Sequence, residues 1–129
     1  MIEVTIKEII NGIETMDGLM QEALPSRAAY QVAKIAKAMS DEYKFFEEAR
    51  LKLIKKYGKK DESGELIVDE KNQYTVPKEN MDEFTKEFNE LTTSKVELLV
   101  NPIDLDSLYC DLTPTQMMNL MPFIIDHND

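Results

Sequence analysis

The sequence predicts an α+β fold that is mainly helical. In it, a long amphipathic helix packs with a shorter N-terminal helix and two further helices, beside a small antiparallel β-sheet or hairpin. Residues 26–57 contain neither proline nor glycine, and their apolar residues recur at helical spacing. Three shorter stretches show the same spacing, and short β-prone runs lie between them. Together these patterns indicate helices with a minor strand component.

Length and composition bound the class of protein. The 129 residues fit one domain, and with 43% apolar and 31% charged residues the chain has a globular rather than a disordered composition. We therefore predict a single domain over 1–129, made of a helical hairpin (5–57), an acidic hairpin with a helix (58–92), and a strand with a C-terminal helix (95–125). No stretch approaches the roughly 20 apolar residues of a membrane span. The start resembles no signal peptide, and a single cysteine fits a reducing cytoplasm.

The first helix is predicted over about 5–22. Thr5 and Glu8 have the spacing of a capping box, in which a hydroxyl and a carboxylate bind the free amides of the first turn. Gly12 and Gly18 each weaken a helix by about 1 kcal/mol relative to alanine. Either tertiary packing holds this helix, or a glycine allows another backbone to approach closely.

The long helix is predicted over 26–57, with Ser26 as a cap and Gly58 as the stop. At 1.5 Å per residue it spans ~48 Å, whereas a compact domain of this length has a diameter of roughly 36 Å. The helix therefore bends, projects, or is covered by a second chain. Its apolar residues form a heptad seam with one polar break. The seam comprises Ala29, Val32, Ala36, Met39, Tyr43, Phe46, Arg50, Leu53 and Tyr57.

The middle of the chain changes from helical to β-prone character. Runs 65–68 and 73–76 predict a β-hairpin, or a loop with one weak strand. Residues 78–92 return to helical spacing, with one apolar face formed by Met81, Phe84, Phe88 and Leu91.

The C-terminal third predicts a strand over 95–100 and a final helix. Residues 103–108 continue an apolar set as a strand or a short turn. Thr113, Pro114 and Gln116 combine a hydroxyl cap, a proline at the first helical position and a glutamine at the third. Pro122 is expected to kink or end this helix. Its predicted buried face is Met117, Leu120, Met121, Ile124 and Ile125.

Charge is unevenly distributed. The net charge is −10, but residues 50–60 carry six basic side chains and no acid. The overall sign argues against direct nucleic-acid binding or membrane-surface binding. The basic run is either a contact for an acidic partner or a set of solvated cations at the negative end of a helix dipole.

The residue types needed for common catalytic sites are scarce. His127 is the sole histidine, and Cys110 has no basic neighbour in sequence that would activate its thiol. Two such residues cannot supply the four ligands of a zinc site. The acidic run 61–65 lacks the glycine spacing of a calcium loop, and the four glycines form no phosphate-binding loop. We therefore predict no enzyme activity, no metal and no cofactor.

Three stretches together resemble a known group of proteins: FFEEARLKLIKKYGKKDESGEL (45–66), ENMDEFTKEFNELTTSKVEL (79–98) and LTPTQMMNLMPFII (112–125). The most specific run is 47–61. The chain resembles an uncharacterised family of small proteins from phages and prophages of Gram-positive bacteria. That resemblance implies a phage context, with a location in the cytoplasm of the bacterial host cell or in the virion. It implies no particular activity.

The sequence thus favours a non-enzymatic protein–protein interaction or assembly protein that self-associates through the long helix. The partner-binding residues predicted from the seam and the basic run are Tyr43, Phe46, Arg50, Leu53, Lys55, Lys56 and Tyr57. An alternative is an acidic inhibitor that imitates nucleic acid and blocks a host nuclease or defence complex, since residues 61–129 carry a net charge of −12. An enzyme that uses carboxylates and a divalent metal is a third hypothesis, without a supporting motif.

Overall fold

The computed structural model describes residues 1–71 and 73–127, so Asn72, between the two predicted hairpin runs, lies outside the described residues, as do Asn128 and Asp129. It confirms a mainly helical α+β fold with a small antiparallel sheet. The helices are α1 (Ile6–Leu19), α2 (Ser26–Tyr57), α3 (Lys78–Thr92) and α4 (Pro114–Leu120). The strands are β1 (Ile2–Thr5), β2 (Lys95–Leu98), β3 (Ile103–Asp104) and β4 (Ile124–Ile125). None of the helices in the described ranges is long and apolar enough to cross a membrane.

The chain divides into two compact units. The first, here called the discontinuous unit, comprises Met1–Tyr43 and Ser94–Asp129, and the second, the inserted unit, comprises Lys44–Thr93. Helix α2 is continuous from Ser26 to Tyr57, as the sequence predicts, so it contributes residues to both units. The prediction of a single domain over 1–129 stays a prediction.

A two-stranded antiparallel sheet joins the two chain segments of the discontinuous unit. β1 pairs with β2 in a register that places Ile2 opposite Leu98 and Val4 opposite Val96. The strand over 95–100 was expected, although it ends at Leu98, whereas β1 was not. Thr5 then begins α1 with the predicted capping box, because Glu8 N donates to Thr5 Oγ1 at 3.1 Å and Thr5 N donates to Glu8 Oε1 at 2.9 Å.

The core of the discontinuous unit lies between this sheet, α1, the first part of α2 and the C-terminal elements. Its fully buried side chains include Val4, Ile9, Met16, Leu19, Val32, Ile35, Met39, Ile103, Leu120 and Phe123. At Gly12, α1 approaches α4 closely: a Cβ atom there would lie 2.8 Å from the Asn119 carbonyl oxygen and 2.9 Å from Phe123 Cε2. The expected close backbone approach is therefore made at Gly12, while Gly18 faces open space.

The C-terminal elements begin as predicted and end differently. Thr113 and Gln116 form a capping box, with Pro114 at the first helical position of α4. Pro122 ends the helix as expected, and Met121–Phe123 form one 3₁₀ turn. Ile124 and Ile125 then form β4, which pairs in parallel with β3. The prediction that these two isoleucines extend the helical face was wrong, because Pro122 redirects the chain into an extended conformation.

The apolar face of α2 also differs from the predicted seam at both ends. Ala28 is fully buried and Ala29 exposed, and Ile54 is buried whereas Leu53 is half-buried. Val32, Ala36, Met39 and Phe46 of the seam are buried as expected. A straight helix turns ~20° per heptad away from a strict seven-residue repeat, and this drift shifts the buried positions by one residue.

Candidate partner-binding surface

Four aromatic rings connect α2 with α3 within the inserted unit. Phe46 meets Phe88 edge to face with a centroid distance of 6.1 Å, and Phe88 stacks on Phe84 at 5.8 Å. Tyr57 completes the row, edge to face with Phe84 at 6.3 Å. Such ring pairs contribute ~0.5–1.5 kcal/mol each beyond the area they bury. The row fixes α3 along the second half of α2.

A polar cluster lies at the Tyr57 end of this row. Lys56 Nζ binds Glu87 Oε1 at 3.2 Å and lies 5.0 Å from the centre of the Tyr57 ring. The Tyr57 hydroxyl, and secondarily Lys56, lower the pKa of Glu87. Glu87 Oε2 is buried without a hydrogen bond of ordinary distance and angle to any described residue, so the Tyr57–Glu87 contact is poorly aligned. The same contact raises the pKa of Tyr57.

The start of α3 is fixed against the end of α2. Asn80 Nδ2 donates to the Tyr57 carbonyl oxygen at 3.1 Å, which satisfies one of the carbonyl groups left free at the end of a helix. Pro77 precedes α3 without a capping side chain, and Asn80 N donates to the Pro77 carbonyl oxygen at 2.9 Å.

Asp61 and Asp69 each begin a turn, and the two turns have the same design. Asp61 Oδ1 accepts hydrogen bonds from the backbone amides of Ser63 and Glu65, at 2.9 and 3.0 Å. Eight residues later, Asp69 Oδ1 accepts from the backbone amides of Lys71 and Gln73, at 2.8 and 2.9 Å. In both turns the aspartate amide also donates to the carbonyl four residues on.

These turns support a ladder that is weaker than the predicted hairpin. Bridges join Lys60 to Leu66 and Val68 to Tyr74, both antiparallel, and neither extends into a strand among the described residues. Ser63 Oγ and the amides of the first turn lower the pKa of Asp61. In sequence, residues 61–65 and 69–73 share only their opening Asp-Glu pair, so the common turn is not evident as a repeat.

Two neighbouring concave surfaces lie between these elements. The first, here called the apolar groove, has a volume of about 550 Å³ and includes Ile54, Tyr74, Met81 and Phe84 in its walls. Tyr74 is 40% exposed and Met81 is 43% exposed. The second, the basic cavity, has a volume of about 600 Å³, and its walls include Lys56, Lys59, Lys60 and Lys78, with Glu79 as the one acid in the part of the chain that the structure describes. Val76 lines both surfaces.

The partner-binding residues predicted from the seam have unequal accessibility. Phe46 is buried within its own chain against Phe88, and Leu53 is half-buried. Arg50 lines the apolar groove and forms an ion pair of 3.0 Å with Glu47. Tyr43 is half-buried and belongs to the discontinuous unit.

The predicted partner-binding residues at the end of α2 also differ in accessibility. Lys55 is exposed, and Lys56 lines the basic cavity. Tyr57 is half-buried and completes the aromatic row. The inserted unit thus brings Arg50 to the apolar groove and Lys56 to the basic cavity. A partner-binding role for all seven residues stays a prediction.

Sequence reasoning missed three accessible apolar side chains. Phe45 is 65% exposed although it precedes the buried Phe46, and Tyr74 and Met81 line the groove. No sequence signal marked Phe45, since other residues next to seam positions, such as Ile35 beside Ala36, are buried. No sequence signal separates Met81 from the other residues of the apolar face of α3, which are half-buried.

Cys110 and His127, for which the sequence predicts no catalytic role, lie in the discontinuous unit. Burial, followed by the nearby carboxylates of Glu22 and Asp111, raises the pKa of the Cys110 thiol and so lowers its thiolate fraction. His127 Nε2 lies 3.5 Å from Asp104 Oδ2 with 61% of its side chain exposed. Within residues 1–71 and 73–127, no group of three or more acidic, histidine or cysteine side chains is arranged to hold a metal ion.

Comparison of the chain with protein-family models, with curated proteins and with solved structures gave no significant match in any of the three.

Proposed function

We propose that this protein is a non-enzymatic interaction or assembly protein of a phage or prophage, and that it self-associates through α2. The observation that carries this proposal is the exposure of Phe45, on an uninterrupted 32-residue helix. The phage context rests on the resemblance of residues 45–66, 79–98 and 112–125 to small phage and prophage proteins.

The contrast between Phe45 and Phe46 supports an interface on α2. Phe46 is 5% exposed, whereas Phe45 is 65% exposed. Removing a phenylalanine side chain from water contributes roughly 1.5–3 kcal/mol. Leu51, on the same half of the helix, is 39% exposed. A second copy of α2 that covers Phe45 would gain this free energy without disturbing the aromatic row.

Light scattering coupled to size exclusion tests self-association. We expect the wild-type protein to form a dimer or larger assembly at micromolar concentration, and Phe45→Asp to be monomeric with unchanged helicity. Lys7→Asp is the matched control, since Lys7 is exposed on α1 and not on α2, and it should assemble like the wild type. A wild-type protein that stays monomeric at high concentration overturns the proposal.

The alternative role, an acidic inhibitor that imitates nucleic acid, is favoured by one feature of α3. Glu79, Asp82 and Glu83 are exposed on this helix, in the part of the chain with the most negative charge. Such an inhibitor would compete with DNA for a basic nuclease site, and its binding would weaken steeply with salt. A nuclease whose DNA cleavage is unaffected by an excess of this protein is not its target.

A further inference from the structure

We propose that the basic cavity and the apolar groove together form a docking site for an acidic segment of another protein, in which Asp or Glu residues stand beside large apolar residues. This inference rests on the proposed function in that it names the partner of an interaction protein. It concerns a different surface from the one proposed for self-association.

Charge complementarity identifies the partner. Lys59, Lys60 and Lys78 line the cavity and form no ion pair with any residue in the described ranges. These three cations share one concavity in which Glu79 is the sole acid among the described lining residues, so they form a positive surface on a protein of net charge −10. Opposite potentials steer association and reject partners of the wrong sign.

The adjoining apolar groove narrows the class of partner. Tyr74 and Met81 expose apolar surface there, and Phe84, which belongs to the aromatic row, also lines the groove. Because Val76 belongs to both surfaces, a bound segment can place carboxylates over the lysines while its apolar side chains enter the groove. Methionine and tyrosine suit such a surface, since the first adapts its shape and the second adds rigid contact area.

The geometry favours protein over nucleic acid. A nucleic acid would bring a continuous line of phosphates, and beyond the lysines these would meet the acidic side chains of a strongly negative chain. A protein segment carries its negative charges only where the lysines lie. A single-stranded oligonucleotide therefore serves as the competing probe.

Selection from a phage-displayed library of random peptides tests the proposal on the full chain. We expect the selected peptides to be enriched in Asp and Glu next to Leu, Ile or Phe. Synthetic versions should bind about tenfold more weakly to Lys59→Glu/Lys60→Glu/Lys78→Glu, and about tenfold more weakly to Tyr74→Ser/Met81→Ser, as measured by fluorescence anisotropy.

A matched triple variant controls for total charge. Lys7→Glu/Lys37→Glu/Lys44→Glu changes the net charge equally at exposed lysines outside both surfaces, and it should bind the peptides like the wild type. If the cavity triple variant loses its circular dichroism signal, Lys59→Ser/Lys60→Ser/Lys78→Ser replaces it. The proposal is overturned if no peptide is selected above an empty support, or if the selected peptides lack acids. It is also overturned if the control loses as much affinity, or if oligothymidylate binds the lysines more tightly than the peptides do.

The two proposals fail separately. Phe45→Asp should abolish self-association and leave peptide binding unchanged, because Phe45 lines neither surface. A monomeric protein that still selects acidic peptides refutes self-association alone, and an assembling protein that selects none refutes the docking site alone.

Discussion

The side-chain amide of Asn80 lies 3.1 Å from the carbonyl oxygen of Tyr57 and donates a hydrogen bond to it. The last carbonyl groups of a helix have no partner within that helix, so a donor from another element replaces water there. Through this bond the third residue of α3 holds the last residue of α2. The walls of the basic cavity meet where these two ends are joined.

Replacing Asn80 with alanine should therefore destabilise the inserted unit. Loss of one partly buried hydrogen bond, which leaves the Tyr57 carbonyl unsatisfied, is expected to lower the free energy of unfolding by about 1 kcal/mol. Urea denaturation measures the change. Thr85→Ala, at an exposed position of α3, is the control and should change stability by less than about 0.5 kcal/mol. Equal effects of the two substitutions would mean that the bond does not stabilise the unit.

Gly12 and Gly18 offer a matched pair within α1. Gly12→Ala would place a methyl group 2.8 Å from the Asn119 carbonyl oxygen, so we expect destabilisation by about 1–3 kcal/mol. Gly18→Ala meets no atom within 4 Å and should stabilise the helix by about 0.5–1 kcal/mol. Thermal unfolding should thus show melting temperatures that move in opposite directions. A rise for both variants would contradict the close approach of α1 and α4.

Adjacent phenylalanines on α2 should respond differently to truncation. Phe46→Ala removes a buried ring that packs on Phe88 and should cost about 3–5 kcal/mol. Phe45→Ala removes an exposed ring and should cost less than about 0.5 kcal/mol in dilute solution, where self-association does not contribute. Denaturant titration of both variants decides the register of this part of the helix. Comparable losses would place both rings in the core.

Protonation of Glu87 should weaken the contact between α2 and α3. Its pKa is lowered in the folded protein, mainly by Tyr57 and then by Lys56, so the carboxylate stabilises the fold above the ordinary value of 4.5. That contribution is lost as the pH falls from 4.5 through the lower folded-state pKa. Urea denaturation should show that the wild type has a higher free energy of unfolding than Glu87→Gln at neutral pH. This stability gap should shrink as the pH is lowered.

Tyr57→Phe provides the second arm of this test. Removal of the hydroxyl takes away the largest cause of the lowered pKa of Glu87. The difference in free energy of unfolding between Tyr57→Phe and Tyr57→Phe/Glu87→Gln should therefore be smaller than the difference between the wild type and Glu87→Gln. A gap of constant size across the pH range would show that Glu87 acts by packing and not by charge.

Local signals in the sequence predicted much of the fold. The capping residues at Thr5 and Thr113, and the absence of breakers between Ser26 and Tyr57, each act within a few residues of their position, and the structure confirms all three. β1 and β4 were missed because each is short and depends on a distant partner. Ile2 pairs with Leu98, and Ile103 with Ile124. Their strand conformation is set by tertiary pairing and not by local propensity.

The candidate surface was predictable only in part. The basic run 50–60 contains Lys56, Lys59 and Lys60, but only Lys56 of these three was among the predicted partner-binding residues. Lys78 lies beside them because the turns at Asp61 and Asp69 bring the chain back to the end of α2. No local sequence signal predicts that the chain returns there. The exposure of Met81 depends on which part of the α3 apolar face the aromatic row covers, and periodicity alone does not say this.

The discontinuous unit sets the order in which the nascent chain can fold on the ribosome. Ile2 and Val4 are made early, but their partners Leu98 and Val96 are translated after the whole inserted unit. Until then the apolar side chains of β1, α1 and the start of α2 remain without their final cover. The inserted unit is complete in sequence before that cover exists, so it can fold while residues 1–43 still await the segment that begins at Ser94.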